Sequence, residues 1–185
     1  MIVVGAALAG QVHEEPVGLA EAVSPAVAAV VIQLDTPASV PVKIPVAAGC
    51  EPYAYRVWRG TVTDVVAGPV PKGAAINVFP GDTPDLVEMS RAACLDGMIK
   101  SPLFSSYPGV PPIDGARLLV VLRWVPPYGW VESVAGAWLP PSSAPEVKAK
   151  MAARSWSPEK GTEEILCVRD ADCGGKRECR ETRCK

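Results

Sequence analysis

The chain has 185 residues, a length that accommodates one globular domain and a small appendage. Its 49% apolar and 21% charged residues are ordinary for a globular protein, and its 20 prolines favour short strands and turns over long helices. A formal net charge of −2 gives no electrostatic case for binding nucleic acid or an anionic membrane. A single histidine excludes most catalytic arrangements that depend on His.

The amino terminus carries an unbroken apolar run over residues 2–9. It ends in Ala7-Leu8-Ala9, which has the A-x-A form of a signal-peptidase site and predicts a mature start at Gly10. No basic residue precedes the run, so we interpret it as a partial signal peptide whose true start lies upstream. A buried first strand is the alternative. Eight residues are too few to span a membrane, and we expect secretion to the periplasm or the extracellular space.

Short helices are predicted at both ends of the domain, and strands between them. A first helix is expected within Pro16–Val23. Runs of β-branched or alternating apolar residues predict strands at 27–34, 53–66, 74–79, 117–125 and 130–138.

Interruptions in this pattern also carry information. Asp35-Thr36-Pro37 is expected to close the first strand, and residues 40–46, with two prolines, are at best an edge strand. Gly60 predicts a bulge or bend in the second strand. Between residues 85 and 112 the periodicity is poor, which predicts a long surface excursion with one helical turn near Leu86–Ala93.

The last helix has a specific start signal. Ser143 and Glu146 have the spacing of a capping box, which predicts a helix from residue 144 to about 154. Val147 and Met151, four residues apart, are expected to face the core. The strand count and the late helix therefore predict a mainly β fold, either a Greek-key β-barrel or a small sandwich.

A family resemblance rests on the order of these elements. The strand 55–62 leading to Lys72-Gly73, the apolar strand 118–122 and the segment 130–138 resemble the netrin-type OB barrel of tissue inhibitors of metalloproteases and of many secreted bacterial proteins. The resemblance covers about residues 20–150. It implies extracellular binding and the fold class that we expect: mainly β, a five- to six-stranded OB-like Greek-key barrel with one C-terminal helix and a small disulfide-stapled tail. One branch inhibits metalloproteases through an N-terminal Cys that chelates zinc. Here the first Cys is Cys50, so that mechanism is not implied.

The six cysteines fall into two groups. Cys50 and Cys94 lie in separate connecting segments and are expected to form a structural disulfide. The alternative is a reactive thiol at Cys94, three residues from Arg91, but no His lies nearby in sequence to act as its base.

Four cysteines crowd the last 19 residues, which have too few apolar residues to form a core and need covalent staples. They are Cys167, Cys173, Cys179 and Cys184. Three pairings are possible, of which we favour Cys167 with Cys179 and Cys173 with Cys184. The segment resembles the Cys-rich repeat named after the Dickkopf N-terminal region. Zinc binding is a competing interpretation, although the x5, x5, x4 spacing departs from the usual C-x2–4-C pairs.

The same tail partly fits a calcium loop. Asp170, Asp172 and Glu181 occupy loop positions 1, 3 and 12, where carboxylates ligate calcium. Gly174 at position 5 has no side-chain oxygen, and the cysteines impose their own geometry. We therefore assign no metal or cofactor, and keep these three acids as a calcium alternative.

The sequence divides into four segments: 1–9 partial signal peptide, 10–154 OB-like barrel, 155–166 linker and 167–185 Cys-rich module. No catalytic residue is assigned, because His13 is expected to be a solvated N-terminal residue and Glu163-Glu164 a solvated linker pair. Trp58, Trp124 and Trp138 are expected in core packing, with a carbohydrate or peptide groove as the alternative. We expect a non-catalytic binding protein whose partner is a protein. The alternative is an extracellular protease inhibitor presenting residues 100–112.

Overall fold

The computed structural model describes residues 13–97 and 103–153, together with the backbone of 179–180 and 183–184. Its elements are β1 His13–Pro16, α1 Leu19–Val23, β2 Ala28–Ile44, β3 Tyr53–Ala67, β4 Ala75–Val78, α2 Thr83–Asp96, β5 Leu103–Ser106, β6 Arg117–Val125, β7 Gly129–Glu132, β8 Trp138–Leu139, a 3-10 turn Pro141–Ser143, α3 Ala144–Ala153, β9 Cys179–Arg180 and β10 Arg183–Cys184.

A nearly closed antiparallel barrel forms the centre of the molecule. Its strands follow the order β4-β3-β2-β6-β7, with β8 paired beside β6. A parallel bridge between Phe79 and Val131 joins the two outer strands. The Phe79 amide donates to the Trp130 carbonyl at 3.0 Å, and the Glu132 amide to the Phe79 carbonyl at 2.8 Å. This arrangement confirms the prediction of a mainly β, barrel-like fold.

The first part of strand β2, residues 28–32, is buried on both faces, which explains its continuous apolar run. Val30 and Ile32 face the barrel interior, where they meet Trp138. The alternate residues, Ala29 and Val31, belong to a second cluster that α1 and α3 cover from outside. Burying both faces makes β2 the central element of the fold.

Both terminal helices pack on that outer cluster. Helix α1 begins at Leu19 and buries Val23. Helix α3 follows directly from the 3-10 turn, with Val147 fully buried and Met151 packed against the same cluster. The predicted helix at 144–154 and its core-facing residues are thereby confirmed.

Strand β2 is longer than the sequence indicated. It continues through residues 35–37, where its register with β3 shifts between Leu34 and Ser39. Backbone groups freed by the irregularity find other partners, since the Ala38 amide donates to the Asp114 carboxylate at 2.8 Å. The prediction that the strand ends there was wrong, because a bulge absorbs the proline. Gly60, opposite Leu34, marks the predicted bend: a Cβ there would lie 2.5 Å from the Gln33 carbonyl oxygen.

Beyond the shift, the second half of β2 pairs only with β3 within the described residues. The two strands form a ribbon, which we define as residues 39–44 and 53–57. A disulfide between Cys50 and Cys94, with Cα atoms 6.0 Å apart, links the ribbon's connecting loop to α2.

Helix α2 corrects a second prediction. Instead of one helical turn near Leu86–Ala93, a helix of 14 residues runs from Thr83 to Asp96. Pro84 stands in its first turn, where a missing N–H costs nothing, and Gly97 ends it in a left-handed conformation with φ 64°. Both are helix boundary signals in the sequence.

The predicted surface excursion is also fastened to the barrel over its second part. Strand β5 pairs in parallel with β1, and Phe104 is buried. The Tyr107 amide donates to the Ala135 carbonyl and the Val110 amide to the Trp138 carbonyl, both at 2.8 Å. Gly109 permits this approach: a Cβ there would lie 2.2 Å from two backbone oxygens. The sequence predicted a surface excursion but not these attachments, because they are made by backbone atoms that the residue pattern does not show.

Among the described helices, none combines the length and the apolar character that crossing a bilayer requires.

Candidate binding site

A buried carboxylate stands where the barrel closes. Glu132 ends β7 and its side chain is fully buried. The Gly136 amide donates to Oε2 at 2.7 Å, the Gly81 amide donates to the same oxygen at 3.3 Å, and the Trp138 indole N–H donates to Oε1. The carboxylate therefore joins three segments: the β4–α2 turn, the β7–β8 connection and β8.

Opposing effects act on the ionisation of Glu132. Burial raises its pKa, and the negative charge of Asp82 acts in the same direction. The three N–H donors lower the pKa because they favour the charged form. Burial is the largest effect and raises the pKa of Glu132 to about 7. Because both oxygens accept hydrogen bonds from different segments, this carboxylate ties together the segments that close the barrel.

Arg123 extends from β6 on the outer side of the same junction. Its Nη2 donates to the Gly81 carbonyl at 2.8 Å and its Nε to the Glu132 carbonyl at 3.4 Å. These two bonds fix the plane of the guanidinium. Within the described residues Arg123 makes no ion pair, so its remaining N–H donors are available to a ligand.

A cavity of about 280 Å³ opens beside this guanidinium. It lies between the start of α2, strand β5 and the β6–β7 side of the barrel. We call it the α2–β5 cavity, and its lining residues are Pro25, Gly81, Asp82, Asp85, Phe104, Ser105, Arg123, Ser133, Val134 and Ala135. Its volume is slightly below the range of about 300–1,000 Å³ typical of sites for drug-sized molecules. A small ligand fits that space.

Ser133 contributes an unpartnered hydroxyl to the cavity lining. The residue is 2% exposed, and its Oγ makes no hydrogen bond within the described residues. A buried hydroxyl without a partner costs about 1–3 kcal/mol. Ser133 therefore places an unsatisfied polar group at the wall of the cavity.

Two carboxylates from the first turn of α2 line the same cavity. Asp82 is half-buried and accepts a hydrogen bond from the Tyr55 hydroxyl, while Asp85 is exposed. Burial, together with Asp82, raises the pKa of Tyr55, so this phenol stays protonated and keeps donating. Asp82 is thereby anchored to the ribbon, away from Arg123.

The tryptophans serve packing, as the sequence indicated. Trp138 is 1% exposed and meets Trp58 edge to face, with ring centroids 6.2 Å apart. Trp124 and Trp130 form a second such pair at 4.9 Å, on directly opposed positions of β6 and β7. Trp138 lies in the barrel core with Trp58 and Trp130 packed against it, while Trp124 is half-buried.

Other residues singled out from sequence have different outcomes. The Cys50–Cys94 disulfide is confirmed. His13 begins β1, and nothing is described of its side chain. Outside the described residues or side chains lie residues 1–9, Glu163, Glu164, the calcium alternative Asp170, Asp172 and Glu181, and the pairing of Cys167, Cys173, Cys179 and Cys184. In the tail, the backbones of β9 and β10 pair antiparallel, with Cys179 opposite Cys184.

Metal ligands do not cluster in the described part of the chain: no group of three or more His, Cys, Asp or Glu residues there could hold an ion. Sequence reasoning missed Glu132, Arg123 and Ser133. Two of them could have been found from the sequence, because each is a charged residue within an apolar strand: Arg123 in β6, and Glu132 two residues after Trp130 in β7. Such a residue needs a partner when the strand is buried.

Comparison with known proteins gave no match to a family model, a curated protein or a solved structure.

Proposed function

We propose that this chain is a secreted, non-catalytic binding protein that takes a small ligand in the α2–β5 cavity. One observation carries the proposal: Arg123 and Ser133 line the same cavity, and among the residues that the structure describes Arg123 has no ion-pair partner and the buried Ser133 hydroxyl has no hydrogen-bond partner. Proteins rarely leave such groups unsatisfied, and binding sites are a recurrent exception.

Two features support binding rather than catalysis. Glu132, the carboxylate at the junction, has both oxygens engaged by N–H donors. Ser133 lacks a base. A nucleophile with a hydrogen-bonded base is the usual mark of covalent catalysis, and the cavity does not hold that combination in the described residues.

Secretion is proposed from the Cys50–Cys94 disulfide and from the cysteine density of the tail. The netrin-type and Dickkopf-like resemblances remain predictions. We further propose the Cys-rich module as a contact for a protein partner. The protease-inhibitor alternative receives less support, because residues 103–110 are bonded to the barrel rather than projecting from it.

The test is a ligand screen read by amide NMR of the full, oxidised chain. Mixtures of charged and neutral metabolites are added, and shifts of the Gly81, Ser105 and Ser133 amides are followed. We expect a subset of compounds to move these resonances in a saturable way. Saturable binding that leaves all three unmoved, or no binding across the screen, would contradict the proposed function.

A further inference from the structure

The cavity holds opposite charges that do not neutralise each other. Arg123 and the carboxylates of Asp82 and Asp85 all line it, yet no ion pair joins them. Separate anchors hold the groups apart, since two backbone carbonyls bind the guanidinium and the Tyr55 hydroxyl binds Asp82. Without these anchors, we would expect Arg123 to form an ion pair with one of the two aspartates, because opposite charges attract strongly in so small a cavity.

This arrangement matches a ligand that carries both charges. From the proposed binding function, on which this step rests, we infer that the α2–β5 cavity binds a small zwitterion of the amino-acid class, with its carboxylate on Arg123 and its ammonium on Asp82 and Asp85. A planar guanidinium offers the paired donors that a carboxylate accepts. Ser133 Oγ supplies a further hydrogen bond to the carboxylate.

Ligands with a single charge fit the same walls less well. A simple anion would meet Arg123 favourably but would lie in the field of two carboxylates. A simple cation would meet those carboxylates but would leave Arg123 and the Ser133 hydroxyl unsatisfied. A zwitterion satisfies both signs and adds no net charge to the cavity.

The size and the apolar wall limit the ligand further. At about 280 Å³ the cavity corresponds to roughly nine water molecules at about 30 Å³ each. Phe104, Pro25 and Val134 provide apolar contacts for a short aliphatic portion. These limits favour a free amino acid with a small side chain over a peptide.

Calorimetry with the full, oxidised chain tests the inference. The probes are glycine, alanine, β-alanine and γ-aminobutyrate, which vary the separation of the two charges, with acetate and methylamine as single-charge analogues. We expect at least one zwitterion to bind about tenfold or more tightly than either analogue, because each analogue loses one charge-assisted contact. Equal affinity for acetate would indicate an anion site instead, and equal affinity for methylamine a cation site.

Variants assign the contacts. Asp85→Asn and Arg123→Lys should each weaken zwitterion binding about tenfold, because one removes a charge and the other the paired donors. Glu88→Gln, on the same helix but outside the cavity lining, is the matched control and should bind like the wild type. Arg123→Lys also removes hydrogen bonds at the barrel junction. If Arg123→Lys misfolds, Asp85→Asn, at an exposed position, tests the ligand contact instead.

Ser133→Ala separates a ligand contact from a structural one. It should weaken zwitterion binding and at the same time raise the melting temperature of the ligand-free protein, since it deletes a buried hydroxyl without a partner. A lower melting temperature with unchanged affinity would overturn the contact. If no zwitterion binds at about 10 mM while another compound class moves the cavity amides, the inference fails and the binding function stands. If neither moves them, both fail.

Discussion

Glu132 makes stability depend on pH in a defined direction. Its carboxyl ionises near pH 4.5 when unfolded and at about 7 in the buried site. Below pH 4.5 the group is protonated in both states, and its full contribution to stability is present. As the pH rises to about 7, the unfolded chain loses its proton first and folding becomes less favourable. Above that range both states are ionised and the effect is constant.

The size of the effect follows from the two pKa values. Each unit of difference corresponds to about 1.36 kcal/mol, so the free energy of unfolding should fall by about 3 kcal/mol across the interval from 4.5 to about 7. Asp82 and the Arg123 guanidinium stand beside this carboxyl and its backbone. Both remain in the variant described next, so their own contributions largely cancel.

Urea unfolding between pH 4 and pH 8.5 would measure it, with wild type compared with Glu132→Gln. The variant does not titrate, so relative to wild type its free energy of unfolding should rise by about 3 kcal/mol between pH 4.5 and pH 8. Glu146→Gln on α3, an exposed site, is the control and should follow the wild type in this interval. A flat difference would show that the three N–H donors balance burial, and a difference of opposite sign would show that they outweigh it; either result would refute the prediction.

Three further measurements test other parts of the fold. Replacing Cys50 and Cys94 by Ser should lower the free energy of unfolding by about 4 kcal/mol in urea titrations, the chain-entropy value for a 44-residue loop; a loss under 1 kcal/mol would contradict it. Gly109→Ala should cost at least about 2 kcal/mol in thermal unfolding because its Cβ would meet backbone oxygens, whereas Gly18→Ala, with its nearest atom at 3.9 Å, should change little. Tyr55 should resist ionisation, so the ultraviolet difference spectra of wild type and Tyr55→Phe should show the same phenolate absorbance through pH 11. A smaller phenolate absorbance in Tyr55→Phe than in wild type below that pH would refute the buried hydrogen bond to Asp82.

The barrel was predictable because each of its main strands is encoded by a local pattern of apolar residues. The run from Arg117 to Val125 and the alternation around Gly60 each specify a strand without reference to the rest of the chain. Strand number and order indicated a barrel or a small sandwich, and the structure shows the barrel. Helix α2 was also accessible, since Pro84 and Gly97 mark its ends, but its apolar residues do not repeat strongly enough to reveal a buried face.

The candidate site was not predictable in the same way. Arg123 and Ser133 are ten residues apart, while the aspartates that share their cavity precede them by about 40–50 residues. Their meeting depends on the parallel bridge at Phe79, a long-range contact that no local pattern encodes. The attachment of residues 103–110 to the barrel was not predictable for the same reason, because backbone hydrogen bonds make it.

The ribbon of residues 39–44 and 53–57 has a consequence for the behaviour of the protein at high concentration. The outer edge of β2 has no neighbour within the described residues, and an open edge is where copies of a chain join into aggregates. Pro41 has no N–H to offer an incoming strand, and Lys43 is an exposed positive charge beside it. Replacing both residues by threonine would remove this protection, and the variant should aggregate more readily through pairing of the exposed β2 edge.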